Sequence, residues 1–326
     1  MNIRTKVMRV LFSRLLCVFL LVSACVAPVW CAPGNNSETK GPPALQDTGE
    51  DQLWRFTTEE QLRAAILKYI KNPRALYYII LRAHERNLAG QASVIFHDLL
   101  LPKPQDHPEH AHDENPKAHA AALIKGLDLA HVQSAYAYSH FMATGPLSRE
   151  YFVRDVSPLV KALRMQEPDV AMYRKESLKA APKSPEVLLE TAIPLFYKGA
   201  DTKQKAIEQC QKACESLREA TQLAPQWADT HYWLAQLLIE LAPVVPEKIV
   251  LAKEALAAYQ KAEDLDPKLH PQCVYGYVYA YQALGQPDKV LEYLDQYIQI
   301  RPDFGKQSHI VKWREALLKQ LQAKQS

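Results

Sequence analysis

The chain has 326 residues, 48% of them apolar and 23% charged, the balance of an ordinary globular protein rather than a disordered or fibrous one. Glycine is scarce, 10 residues or about 3% against a usual share near 7%, which disfavours Gly-rich sandwiches, barrels and doubly wound sheets. The formal charge of +3 includes Arg4, Lys6, Arg9 and Arg14, and removing those four charges leaves −1, so recognition of nucleic acid by charge has no support.

The basic start carries no Asp or Glu and runs into Leu15 to Ala24, an uninterrupted apolar stretch of the length of a secretory hydrophobic region. Residues 1–24 are therefore expected to be a signal peptide, and the mature protein to work outside the cytoplasm. Cleavage after Ala27 or Ala32 is poor for ordinary signal peptidase, because Pro follows each and bulky Trp30 precedes Ala32. The run ends Val22-Ser23-Ala24-Cys25. It resembles the lipobox of bacterial lipoproteins, an aliphatic residue and two small ones before an invariant Cys. The resemblance implies that Cys25 is diacylated and becomes the new N-terminus, held at the membrane by two or three acyl chains where one would be marginal. Val26 in place of Asp implies, by analogy with enterobacterial sorting, the outer membrane. An uncleaved anchor over about Leu15 to Ala32, barely long enough to span a bilayer, and an ordinary signal peptide that happens to contain Cys25 are the other readings of these residues. Residues 25–50 read as a flexible linker, since from Pro33 to Asp51 the composition turns to Gly, Pro, Asn, Ser, Thr and charge.

From Asp51 the periodicity is helical. Thr57 and Thr58 before Glu59, Glu60 and Gln61 form a capping-box start, and Leu62, Ile66, Tyr69 and Ile70 recur at helical spacing. Asn72-Pro73 is an N-cap with Pro at the first position, opening a second helix through Tyr77, Ile80 and Leu81. Further helices are expected at about 90–101, 117–143 with a break, 148–165 and 169–181, separated by breakers such as Gly145-Pro146 and Glu167-Pro168. Between them, Asp106 to His119 concentrates titratable residues. Its His107, His110 and His112 are weak candidates for Zn, Ni or Cu, and the plainer reading is a solvated, Pro-punctuated loop without metal.

After residue 182 four dipeptides punctuate the chain: Ala181-Pro182, Ala224-Pro225, Asp266-Pro267 and Arg301-Pro302, spaced by 43, 42 and 35 residues. Twelve, eight and five residues before the last three prolines stand Ala213, Leu217 and Ala220, then Ala255, Tyr259 and Ala262, then Val290, Leu294 and Tyr297. Such a recurring size pattern is what a repeating packed helix requires. Here the chain resembles the tetratricopeptide repeat family, whose 34-residue helix pair carries small or bulky apolar residues at these positions and Pro at its end. Pro271 to Phe304 is the best unit, with Tyr277, Val278, Tyr281 and Leu284-Gly285 in place, and the preceding unit has Leu234-Ala235 and Leu238 in register. The two earlier units are too long, with the excess near Asp201 to Gln209 and Ala242 to Ile249, and His231 and Val274 stand where the family has an aromatic residue. Val274 to Tyr281 alternates like a strand, but a strand there would deprive the helix after Pro287 of its hairpin partner. Ile310, Trp313, Leu317 and Leu321 form the stripe of a closing amphipathic helix. The expected fold is thus all-α: an N-terminal helical region, 51–182, and a right-handed solenoid of tetratricopeptide-like hairpins with a capping helix, 183–326.

No nucleophile elbow, His-Glu-x-x-His, phosphate loop or dinucleotide fingerprint occurs, and no paired acid, base or nucleophile stands out in 51–165. No catalysis and no cofactor are expected. Cys210, Cys214 and Cys273 read as core residues, and no Cys-x-x-Cys occurs. In the tetratricopeptide family the first helix of each pair lines a concave groove, and the resemblance places Tyr232 and Gln236 of one unit and Tyr275 and Tyr279 of the next at groove positions. Aromatic rings with polar tips suit capture of a protein or peptide partner. The family's basic and Asn clamp for chaperone tails is missing. The functional expectation is an exported, membrane-anchored interaction scaffold or adaptor of the bacterial cell envelope. A periplasmic metal-binding protein built on the His-rich loop 107–119 is the alternative.

Overall fold

A computed structural model describes residues 56–100, 129–147, 157–197 and 200–325, and these are all-helical, with no strand among the described residues. They fall into two compact units, one ending at Pro182 and the other beginning at Lys183.

In the first unit, α1 (Glu59–Tyr69) starts where the Thr58 hydroxyl accepts from the Gln61 amide and the Gln61 side chain accepts, at 2.8 Å, from the Thr57 amide. Two otherwise orphaned amides at the helix start are satisfied this way. In α2 (Pro73–Glu85), Asn72 accepts from the Ala75 amide at 3.1 Å, and Pro73 occupies the first position, where its missing N–H costs nothing. Next come α3 (Ala89–Leu100), α4 (Leu129–Thr144), α5 (Pro158–Arg164, capped by Ser157) and α6 (Glu167–Ala180). The expected helix at 148–165 is described only over α5, because 148–156 lie outside the described residues. Glu167-Pro168 stands at the break between α5 and α6 and itself opens α6, since Pro168 sits in the first turn, where no intrahelical donor is needed.

Helix α4 packs against α2, α3, α5 and α6, and every residue of it except Leu129 and His131 is buried. Its centre stacks Tyr138 on Tyr77 of α2, ring centroids 5.6 Å apart, and sets Tyr136 edge-on to Tyr173 of α6 at 5.7 Å.

The second unit contains α7 (Pro185–Tyr197), α8 (Lys203–Leu223), α9 (Ala228–Leu241), α10 (Lys248–Leu265), α11 (His270–Leu284), α12 (Pro287–Ile300), the short α13 (Pro302–Gly305) and α14 (Ser308–Gln325). From α7 to α12 each helix packs on the next in the chain, α9 also touches α7 and α11, and α14 closes on α12 and α13. The nine positions counted back from the prolines, Ala213 through Tyr297, are each at most 1% exposed. The excess residues of the long units become the start of the 21-residue α8 and a 3-10 turn, Ala242–Val244, before α10. The alternating stretch Val274 to Tyr281 lies wholly inside α11, and Gly285 ends that helix in the left-handed region, φ 72°, which glycine adopts without penalty. Ile310 and Leu317 of the final stripe are buried on the earlier helices.

Size complementarity holds this core. A Cβ on Gly276 would lie 2.2 Å from the Tyr259 ring, so the fully buried tyrosine of α10 is seated where α11 has no side chain. Two bidentate ion pairs tie alternate helices. Arg218 of α8 donates to Glu254 of α10 at 2.6 and 2.8 Å, and Arg314 of α14 donates to Asp295 of α12 at 2.7 and 3.1 Å. Cys210, Cys214 and Cys273 are free and buried. A hydrogen bond with Cys214 and burial push the Cys210 thiol up, and burial pushes Cys273 up to about 12, so neither is held as a reactive thiolate.

Candidate functional site

Two pairs of polar positions, Tyr232 with Gln236 and Tyr275 with Tyr279, stand on α9 and α11, helices that pack against each other. The chain enters α9 through Trp227, whose indole donates to Asp229 at 2.9 Å while Thr230 donates to the Trp227 carbonyl at 2.7 Å. One turn on, Tyr232 and Gln236 are spaced i,i+4 and therefore share a face. The Gln236 amide donates to the Tyr232 hydroxyl at 2.9 Å, which fixes both half-buried side chains. The Tyr232 ring is held between Trp233 and Tyr259, at centroid distances of 5.6 and 6.1 Å.

On α11, Tyr275 and Tyr279 repeat that spacing, and their hydroxyls lie 2.6 Å apart. Their environments differ. Tyr279 is half-buried, with Trp313 of α14 at 5.9 Å. Tyr275 is only 7% exposed, covered by Tyr297 at 4.8 Å and Phe304 at 5.7 Å. The expectation that Tyr275 presents its ring in a groove is corrected on this point. The cause is α13, which folds Phe304 under the end of α12. Gly305 permits that close turn, because a Cβ there would lie 2.6 Å from the Ile298 Cγ2. The accessible polar aromatic surface is thus Tyr232 with Gln236 and Tyr279 with Trp313, while Tyr275 backs Tyr279 through its hydroxyl.

Sequence reasoning missed a second constellation, in the first unit. His140 of α4 is 1% exposed, and its Nε2 lies 2.7 Å from the Leu163 carbonyl. A carbonyl can only accept, so Nε2 carries the proton and Nδ1 faces Thr144 Oγ1 at 3.3 Å and Glu167 Oε2 at 3.5 Å. The Thr144 hydroxyl donates to the His140 carbonyl at 2.8 Å. Burial pushes the imidazole below its ordinary value, and Arg174 acts in the same direction, against the Leu163 hydrogen bond and Glu167. Around it, Tyr136 donates to Gln166 at 3.0 Å, Gln133 donates to Glu176 at 2.8 Å and Arg174 donates to the Ala137 carbonyl at 3.3 Å. Burial, and the acidic Asp169 nearby, push the Tyr136 phenol well above its usual range. The cluster seams α4 to α5 and α6, and its polar groups are turned toward one another. The only sequence signal was the density of polar residues, Gln133, Ser134, Ser139, His140 and Thr144, in an otherwise apolar helix.

Cys25 and the candidate ligands His107, His110 and His112 lie outside the described residues. Among the described residues no group of three His, Cys, Asp or Glu could hold a metal ion, and no helix is long and apolar enough to cross a membrane. No protein-family model matches the chain, and no curated protein matches it in sequence.

Proposed function

We propose that this protein is an exported, lipid-anchored interaction scaffold of a bacterial cell envelope, acting without catalysis or cofactor. Its second unit is read as a tetratricopeptide-like right-handed solenoid that captures a protein or peptide partner on the faces of α9 and α11. The observation that carries the reading is the conjunction of a core that recurs at the same offsets before three prolines with two half-buried pairs, Tyr232 with Gln236 on α9 and Tyr279 of α11 with Trp313 of α14. Tyrosine and tryptophan offer large rigid contact area at little entropic cost, and their polar tips can meet backbone groups of a bound chain. Succession of each helix on the next, from α7 to α12, supports the solenoid. The lipid anchor rests on Val22-Ser23-Ala24-Cys25 behind a basic and then apolar start.

The test has two arms on the full chain. Wild-type protein is expected to take up labelled palmitate and partition with membranes, and Cys25→Ser to lose both. Proteins captured by the wild type from envelope extract are identified, and Tyr232→Ala and Tyr279→Ala are expected to weaken that capture by about 1 to 3 kcal/mol each with little change in melting temperature. Capture unchanged in both variants overturns the binding face. Label retained in Cys25→Ser overturns the anchor.

A further inference from the structure

Six aromatic side chains of the second unit form an unbroken series. Ring centroids are separated by 5.6 Å from Trp233 to Tyr232, 6.1 Å to Tyr259, 5.7 Å to Tyr277, 5.0 Å to Tyr293 and 5.3 Å to Tyr281, the last two stacked within 9° of parallel. Both ends are half-exposed, whereas Tyr259 is fully buried and Tyr277 is 6% exposed. Partner binding gives no reason for rings at the centre of this series, since no ligand could reach them.

The two buried phenols differ in one chemical respect. Tyr259 has a buried hydroxyl without a hydrogen-bond partner among the described residues. Tyr277 donates to the Glu263 carboxylate at 2.9 Å, and the other oxygen of that carboxylate lies 2.6 Å from Nδ1 of His270, a half-exposed ring. Losing an electron turns a phenol into a very strong acid, so a tyrosine gives up an electron readily only where a base stands ready for its proton. Tyr277 has such a base and Tyr259 has none. Burial and the neighbouring carboxylate also push the Tyr277 phenol far above its usual range, so it enters any such step protonated.

We propose that Tyr277 is a proton-coupled one-electron donor, the site at which an oxidising equivalent arriving at Trp233 or Tyr281 comes to rest. The oxidant is an outer-sphere one-electron acceptor of the metal polypyridyl or radical class. It is reduced by one electron on taking that electron from the exposed ring. An electron from Tyr277 then refills that ring across the series, with Tyr259 acting as a bridge. As it leaves, the Tyr277 O–H bond breaks and the proton forms a new O–H bond at Glu263 Oε2. The products are a neutral Tyr277 phenoxyl radical and a protonated Glu263 that His270 still engages. The activity is a sink that draws oxidation away from half-exposed aromatic residues, and it is independent of partner capture.

The full-length protein is oxidised by photogenerated tris-bipyridine ruthenium(III) with persulfate as the terminal acceptor, and the radical is followed by transient absorption and electron paramagnetic resonance. A long-lived phenoxyl signal is expected, forming more slowly in heavy water. Tyr277→Phe, which keeps the ring, is expected to lose it and to increase oxidation at Trp233 and Tyr281 as mapped by mass spectrometry. Glu263→Gln keeps a hydrogen-bond acceptor but removes the base, so radical formation is expected to slow and to become dependent on added buffer base. A purely structural hydrogen bond predicts no such dependence. A phenoxyl signal that survives Tyr277→Phe, that is indifferent to Glu263→Gln, or that forms at the same rate in heavy water overturns the proposal. The isotope measurement uses the wild-type chain and stands even where a variant fails to fold, which circular dichroism reports.

Discussion

Helices α4 and α11 are both buried along most of their length, and they are buried in different company. Helix α4 carries Gln133, Ser134, Ser139, His140 and Thr144 into the interior of the first unit, and hydrogen bonds to Glu176, Leu163 and its own turns satisfy several of these groups. Helix α11 carries Cys273, Val274, Gly276, Val278, Ala280 and two tyrosines, Tyr275 and Tyr277, into the second, where a tyrosine of α10 fits the space left by Gly276. The first core depends on which groups pair, because an unpaired buried polar atom costs as much as a lost hydrogen bond. The second depends on which sizes meet, because a packed core answers to the volume of single methyl groups. A change of side-chain volume should therefore damage the second unit most, and a change of protonation the first.

The largest effect is expected from Leu294→Ala in α12, a fully buried position of the repeating core. It should cost about 2 to 5 kcal/mol of stability, read from urea unfolding by circular dichroism. A cost near zero would mean that this core is loosely packed and would remove the contrast. Gly276→Ala comes next, at about 1 to 3 kcal/mol, because the Tyr259 ring must move to admit one methyl group. The double variant Gly276→Ala, Tyr259→Leu should recover part of that loss, which a backbone effect of alanine could not explain.

His140→Phe tests the first unit. It keeps a flat ring but removes the imidazole from the Leu163 carbonyl, which then accepts only from the Gln166 amide at 2.8 Å, at a cost of about 0.5 to 1.5 kcal/mol at neutral pH. The pH profile is more specific than the size of the loss. Because burial holds the folded-state imidazole below its ordinary value of 6.5, the unfolded chain binds the proton more readily. Stability is full above that ordinary value and declines as pH falls through it toward the folded value. The variant lacks this decline, so its deficit should narrow on acidification in melts taken between about pH 5 and 8. A smaller acid slope remains in the variant from His231 of the second unit, whose half-buried ring is also shifted down by burial. Equal slopes for wild type and His140→Phe would show that the pairing in α4 carries no titration. The smallest effect is expected from Asp295→Ala. It breaks the bidentate pair with Arg314, but both partners are over a third exposed on the side chain, and solvent leaves such a pair worth about 0.2 to 1 kcal/mol.

Legibility in the sequence followed the same division. Helices with one apolar face and local start signals were readable in place: Thr58 and Asn72 at the openings of α1 and α2, Gly285 at the end of α11 and the stripe of α14. So were the buried positions before Pro225, Pro267 and Pro302, because a repeat compares the chain with itself. Helix α4 offered no face to read, since a helix surrounded on every side loses its amphipathic period. The pairing of His140 with Leu163 and Glu167 spans 23 and 27 positions of sequence, and nothing in a local window joins them. Tyr275 failed for a related reason. Its i,i+4 partner Tyr279 was legible, but its cover by Phe304 depends on the four-residue turn α13.

Capping chemistry, helical period and the spacing of prolines are local quantities, set by which backbone amides a nearby side chain can reach and by which residues fall on one side of a cylinder. The amino-acid sequence by itself therefore determined that this chain is helical, where several of its helices begin and end, and which residues recur in the core of the second unit. Burial on the remaining sides of a helix, the meeting of Tyr259 with Gly276, the carboxylate between Tyr277 and His270, and the closed surroundings of His140 are contacts between elements. They were decided only when the helices packed, because the free energy that selects them is gained by surfaces that touch in three dimensions and not by neighbours along the chain.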